Sequence, residues 1–248
     1  MTSAINARLD SSRVEVVLVG SFKPDEVLPE ALAKCDTITA KEAGAAKFKN
    51  LLQGQIVEFE IDGVTVQVVP QRLVVHTTQV PYIRAADLAL KIVREASPLS
   101  TVSMLGINRE YQYRFSNVEE RDKFGIRIAP PLAWGEFGKV IAEDQRGQVP
   151  DSDNRSGVLS MTMRKMHFKD RESGWLDITI SATGNSKDDV GVLVRANDHY
   201  QFHLKYDPES LVLDHHASSR TTRLLDTFTK NFDESIKRSD AFVYGMWK

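Results

Sequence analysis

Residues 55–78 read QIVEFEIDGVTVQVVPQRLVVHTT, and this stretch decides the fold class. Asp62-Gly63 stands between two runs that alternate apolar and polar. That pair is the strongest short hairpin signal, because a type I′ turn needs positive φ at both central residues. A two-residue turn also sets the register. Ile61 faces Val64, Phe59 faces Val66 and Val57 faces Val68, all on one side. Glu58, Glu60, Thr65 and Gln67 take the other side. Pro70 ends the second strand because it cannot donate to a ladder. Residues 72–77 form a third strand, with Leu73 and Val75 inward.

Upstream, residues 1–12 are polar and predict a loose start, followed by a strand over 14–22. A helix is expected from Pro24 to about Lys34. A second helix is expected over 41–52, with Gly44 inside it. Cys35, the single cysteine, lies between them and reads as a half-buried small residue. Downstream, residues 81–96 carry apolar side chains at spacings of three and four, the pattern of a helix that covers a sheet. Residues 101–115 form a long strand. Val102 and Met104 are out of phase with Leu105, Ile107, Tyr111 and Phe115, which predicts a bulge near Gly106. Arg109 falls on the apolar face and is expected either in a salt bridge or, reaching a cleft, as a ligand or nucleic-acid contact, the salt bridge being the usual solution. Ser116 is the expected cap of a helix over 117–124, and Trp134 and Phe137 are expected to seal an edge of the core.

The second half repeats the style. Strands are expected over 158–168, 175–183 and 190–196, then a tight turn at Asn197-Asp198 and a last strand through Tyr206. The methionines at 161, 163 and 166 read as core filling. A long helix over 217–237 and an aromatic tail, AFVYGMWK, close the chain, the tail docking on the core or on a partner. The fold class is therefore α+β: two antiparallel β-meanders, each followed by an amphipathic covering helix. The expected division is an N-terminal half over 1–146, a linker at 147–157 and a C-terminal half over 158–248, or one continuous domain. The shared plan suggests a duplication, although the halves show no sequence identity.

Composition narrows the function classes. The net charge is −2, so a strongly basic nucleic-acid-binding surface would have to be local. No apolar run is long enough to cross a bilayer, and MTSAINARLDSS has no secretory character. With one cysteine, a cytoplasmic setting is the simple expectation. The dinucleotide fingerprint, the P-loop, HExxH, CxxC and GxSxG are absent from the sequence, so no catalytic residue is assigned and no cofactor is expected.

Three residue groups remain. Asp214, His215 and His216 look like the DHH motif of the Mn²⁺-dependent DHH phosphoesterases, but the acidic motifs that family carries upstream are missing. Asp214 reads rather as a helix cap or a hinge before the last helix. His199 and His203 share a strand face about 13 Å apart, too far for one metal. Arg164, Lys165, His167, Lys169 and Arg171 form a basic run that Arg220 and Arg223 could extend toward phosphates, although charge runs usually only solvate.

At the level of the chain, VEVVLVGSF, VTVQVVPQRLVVHTT, PYIRAADLALKIVREA and LGINREYQYRF, with the pair Asn108-Arg109, carry a resemblance. They resemble a sporadically distributed bacterial family of uncharacterised α+β proteins of about this length. The resemblance spans residues 14–115 and brings no assigned site residues. It implies an accessory protein of a mobile or phage-defence-associated system. The leading expectation is a non-enzymatic interaction protein with a protein partner or a homodimeric state. A nucleic-acid-binding accessory protein comes second, and a metal-dependent phosphoesterase third.

Overall fold

A computed structural model describes residues 6–97, 101–145, 157–167, 173–183, 190–201 and 213–247, with the side chains of 101, 144, 145, 167, 173, 213–221, 223 and 224 outside the description. The chain folds as a large antiparallel sheet with helices, an α+β architecture. Among the described residues, nine strands join in one sheet in the order β2-β3-β4-β5-β1-β6-β9-β8-β7. They are β1 (Ala7–Ser21), β2 (Lys47–Leu52), β3 (Ile56–Ile61), β4 (Val64–Val69), β5 (Arg72–Thr77), β6 (Thr101–Phe115), β7 (Ser160–His167), β8 (Ser173–Ala182) and β9 (Gly191–Gln201). The helices are α1 (Pro29–Lys34), α2 (Ala40–Gly44), α3 (Ile83–Lys91), α4 (Val118–Ile128), α5 (Gly135–Gln145) and α6 (Leu213–Met246).

The β3–β4 hairpin has the predicted register, with Ile61 opposite Val64 and Val57 opposite Val68. Asp62 and Gly63 both have positive φ, at 45° and 74°, as the turn requires. Val57, Phe59, Val66, Val68, Leu73 and Val75 are fully buried on one face. A fully buried Phe such as Phe59 contributes on the order of 2–3 kcal/mol through water exclusion.

Several local expectations change. β1 begins seven residues earlier than predicted, at Ala7, because the polar start pairs with the far end of β6. The first helix divides into a 3₁₀ turn (Pro24–Val27) and α1, since Pro29 can only begin a new helix. The expected helix over 41–52 is cut to α2. Its C-terminal half is edge strand β2, where pairing with β3 overrides helix propensity. Asn117 rather than Ser116 caps α4, accepting from the Glu120 N–H at 2.9 Å. Asn197-Asp198 does not turn. Both residues sit inside β9, paired on one side with β6 and on the other with β8. Residues 147–156 of the expected 147–157 linker and the segment 202–212 lie outside the described residues.

The sheet has an internal pseudo-twofold axis. β1 and β6 are both 15 residues long and run antiparallel at its centre. Adding 93 to each β1 number and subtracting 93 from each β6 number maps the pairing onto itself: Val16↔Ile107 becomes Val14↔Arg109, and Val17↔Gly106 becomes Arg13↔Glu110. The register shifts obey the same operation. One skips Asp10 and the other skips Ser103, three residues before the expected site at Gly106. Glu15 and Asn108 map onto each other, so the axis passes through that pair. On either side of the central pair, β5 returns to β1 and β9 returns to β6. α3 packs on β5 and β1, and α6 packs on β6 and β9.

The described helices pack on one face of the sheet. The core follows the axis in two parts: Val14, Val16, Leu105 and Ile107 with α3 and the middle of α6, and Tyr111, Phe115 and Ile178 with α4 and the end of α6. The opposite face carries polar alternates on many strands, with Val17 and Val74 as apolar exceptions.

Candidate functional site

Arg109 projects from β6 into the helical face. Its guanidinium lies 4.5 Å from the ring centres of both Tyr82 and Tyr111. Its Nε donates to Asp240 of α6 at 3.2 Å, and the Tyr111 hydroxyl donates to the same carboxylate oxygen. Burial, followed by the bond to Asp240, pushes the Tyr111 hydroxyl pKa well above its usual value. Two residues earlier on α6, Arg238 stands 3.7 Å from the carboxylate of Asp198, which is 0% exposed and accepts from the Tyr200 hydroxyl at 3.2 Å. The helix thus carries Arg238 and Asp240, and the sheet carries Asp198 and Arg109. Sliding the helix by a turn would separate both pairs, so this crossed pairing sets its register.

The basic run does not form one surface. Arg164 and Lys165 alternate along β7 and point to opposite sides of the sheet. Arg164 donates twice to Asp177, at 2.7 Å for each bond, and lies 4.4 Å over the Trp175 ring. His167 ends β7, Lys169 and Arg171 lie outside the described residues, and the side chains of Arg220 and Arg223 on α6 are outside the description. Asp214, His215 and His216 form the first turn of α6, and their side chains are likewise outside it. Among the described residues no group of three potential metal ligands comes together. No described helix is long and apolar enough to cross a membrane.

Two concave sites stand out. The first is a charged trough of about 370 Å³ on the open face, just beside the pseudo-twofold axis. Two cross-strand rows build it. Arg13, Glu110, Arg195 and Thr179 form one row across β1, β6, β9 and β8. Glu15, Asn108, Asn197 and Asp177 form the next, with Arg164 beyond them on β7. Adjacent rows are two residues apart along a strand, about 7 Å. Glu110 Oε2 accepts from Arg13 at 3.2 Å and from Arg195 at 2.7 Å. Asn108 donates to Glu15 at 3.0 Å. The Arg164 bonds hold the Asp177 carboxyl below its usual pKa. Beside this row His199 stacks on Trp175 at 4.1 Å, and burial, aided by the Arg164 charge, lowers its pKa. Three buried polar atoms on this face lack a partner: Arg13 Nε, Asn108 Oδ1 and His199 Nε2.

The second site is an apolar cleft of about 480 Å³ between α4, the turn Pro131–Trp134, α5 and the start of β7. Ile126, Pro131, Trp134, Phe137, Ile141 and Leu159 are among its lining residues. Gly138 lets α5 lie against that turn: a Cβ there would come within 2.0 Å of the Pro131 carbonyl oxygen. Trp134 and Phe137 do not seal the core as expected; they are 60% and 67% exposed, and Leu132 is 90% exposed. The tail does that work. Trp247 stacks on Phe124 at 4.9 Å and meets Tyr113 at 4.5 Å.

Of the residues lining the trough, sequence reasoning named Asn108 and Arg109, the latter turning its side chain to the helical face, and it named Arg164 just beyond the lining. The others sit on four strands whose lateral order a single sequence does not reveal. The unmatched apolar residues of PPLAWGEFGKV were the legible signal for the cleft, misread as core. No known family model matches the chain, and no curated protein matches it.

Proposed function

We propose that the protein is a non-enzymatic interaction protein that docks an apolar segment of a partner protein in the cleft between α4, α5 and β7. The exposure of Leu132, Trp134 and Phe137 around one concave surface carries this reading. Large contiguous apolar patches mark interaction sites, and Trp is enriched among the residues that dominate binding energy. Burying one such side chain contributes on the order of 2 kcal/mol. Val140 and Met163 extend the patch and are also exposed. An accessory role in a mobile or phage-defence-associated system, which the resemblance implies, calls for such a docking surface. Nucleic-acid binding through β7 has less support, because Asp177 neutralises Arg164 and Lys165 faces the other way.

The test is partner capture on the purified full chain, with cross-linking and mass spectrometry to name the partner. Light scattering shows whether that partner is a second copy. Leu132→Ser together with Trp134→Ser keeps the chain folded with a small change in melting temperature, since the side chains are 90% and 60% exposed, and abolishes capture. Retention of the partner by the double variant overturns the proposal.

A further inference from the structure

The pseudo-twofold axis supplies an internal control for the charged trough. Glu110, Arg195, Thr179 and Asp177 of the second half occupy the positions that Val17, Val74, Gln67 and Thr65 hold in the first. The same backbone pairing therefore forms without these charges, and the sheet does not need them. Nor do they add much stability where they are: the Arg195–Glu110 pair has one side chain 59% exposed, and exposed pairs contribute little. The charges on β6, β8 and β9 belong to one half, and Arg13 and Glu15 of β1 complete the trough across the axis.

Its free groups are sorted by charge. The row Arg13–Glu110–Arg195 has two cations to one anion, and Arg13 Nε is buried without a partner. Only Nε of Arg195 is engaged among the described residues. The next row, Glu15–Asn108–Asn197–Asp177–Arg164, has two anions to one cation. At its far side the side-chain oxygens of Asn108 and Asn197 lean over Gly106, 3.4 and 3.6 Å from where a Cβ would sit. The Asn108 oxygen has no partner. A donor-rich anion site thus lies one to two row spacings, about 7–13 Å, from an acceptor-rich hollow. Extended chain spans roughly 3.3–3.6 Å per residue, so two to four residues bridge that gap.

We propose that the trough binds a short peptide by its two free termini, the carboxylate at Arg13 and Arg195 and the ammonium over Gly106 against Asn108 and Asn197. The site is separate from the apolar cleft and stands or falls independently of it. The probe is trialanine, titrated into the full chain by calorimetry and by amide chemical shifts. Free trialanine binds, while N-acetyl-trialanine and trialanine amide each bind at least tenfold more weakly. Arg195→Val copies the first half's residue, and Gly106→Ala makes only ordinary contacts at 3.4–3.6 Å, so both variants keep the wild-type melting temperature. Each weakens trialanine at least tenfold. No binding at millimolar peptide, binding indifferent to either cap, or full binding by both variants overturns the proposal.

Discussion

The crossed ion pairs under α6 make a quantitative prediction. Asp240→Asn removes the charge that Arg109 and Tyr111 share, and leaves a guanidinium only 6% exposed with one nitrogen already lacking a partner. Stranding a buried charge costs about 3–5 kcal/mol when the lost partner is itself buried. Asp240 is 42% exposed, so water can replace part of it, and the cost falls to about 2 kcal/mol. Arg109→Met removes the same pair and the stacking between Tyr82 and Tyr111, again about 2 kcal/mol. The double variant no longer strands a charge and costs about 2 rather than 4 kcal/mol, a coupling of about 2 kcal/mol. Urea denaturation of the four proteins at constant m-value measures this cycle. Additive losses, or a single Asp240→Asn loss below about 0.5 kcal/mol, would refute the crossed arrangement as the lock on α6.

Three further outcomes follow from single sites. Gly63→Ala strains a left-handed turn residue and pushes its Cβ to within 2.3 Å of the Gln79 side chain, so chemical denaturation shows a loss of about 1–2 kcal/mol; an unchanged midpoint contradicts the turn. Trp247→Ala opens the aromatic cluster with Phe124 and Tyr113 and lowers stability by roughly 3 kcal/mol, read as a melting shift; a loss under about 1 kcal/mol means the tail is not core. His76 and His199 both have folded pKa values lowered from 6.5, mainly by burial. The unfolded chain therefore binds protons first, so stability is complete above 6.5 and falls as pH drops below it. His199→Gln flattens part of that slope in stability measured between neutral and mildly acidic pH, and a slope identical to wild type contradicts the assignment.

The hairpin at Asp62-Gly63 was legible residue by residue, because positive φ and a two-residue loop leave one register. Where pairing decided the outcome, local signals misled. Lys47–Leu52 had helical spacing but lies on the edge beside β3. Asn197-Asp198 has turn residues, yet Asp198 is held inside the ladder by Tyr200 and Arg238. Bulges are set by the partner strand, so the one expected near Gly106 fell at Ser103, with its counterpart at Asp10. The pairing of Arg109 was foreseen in kind, from the cost of a lone buried guanidinium, but Asp240 lies 131 residues away and could not be named. The trough was invisible for the same reason. Its two rows exist only once β1 is known to pair with β6 and β6 with β9.

Hydrogen exchange on the complex with the captured partner tests the docking proposal most directly. Binding at the cleft slows exchange over residues 125–141 and 157–163 and leaves β2 and β3 unchanged. Protection confined to β2, to the charged trough or to the outer face of α6, with 125–141 exchanging as in the free protein, would contradict it.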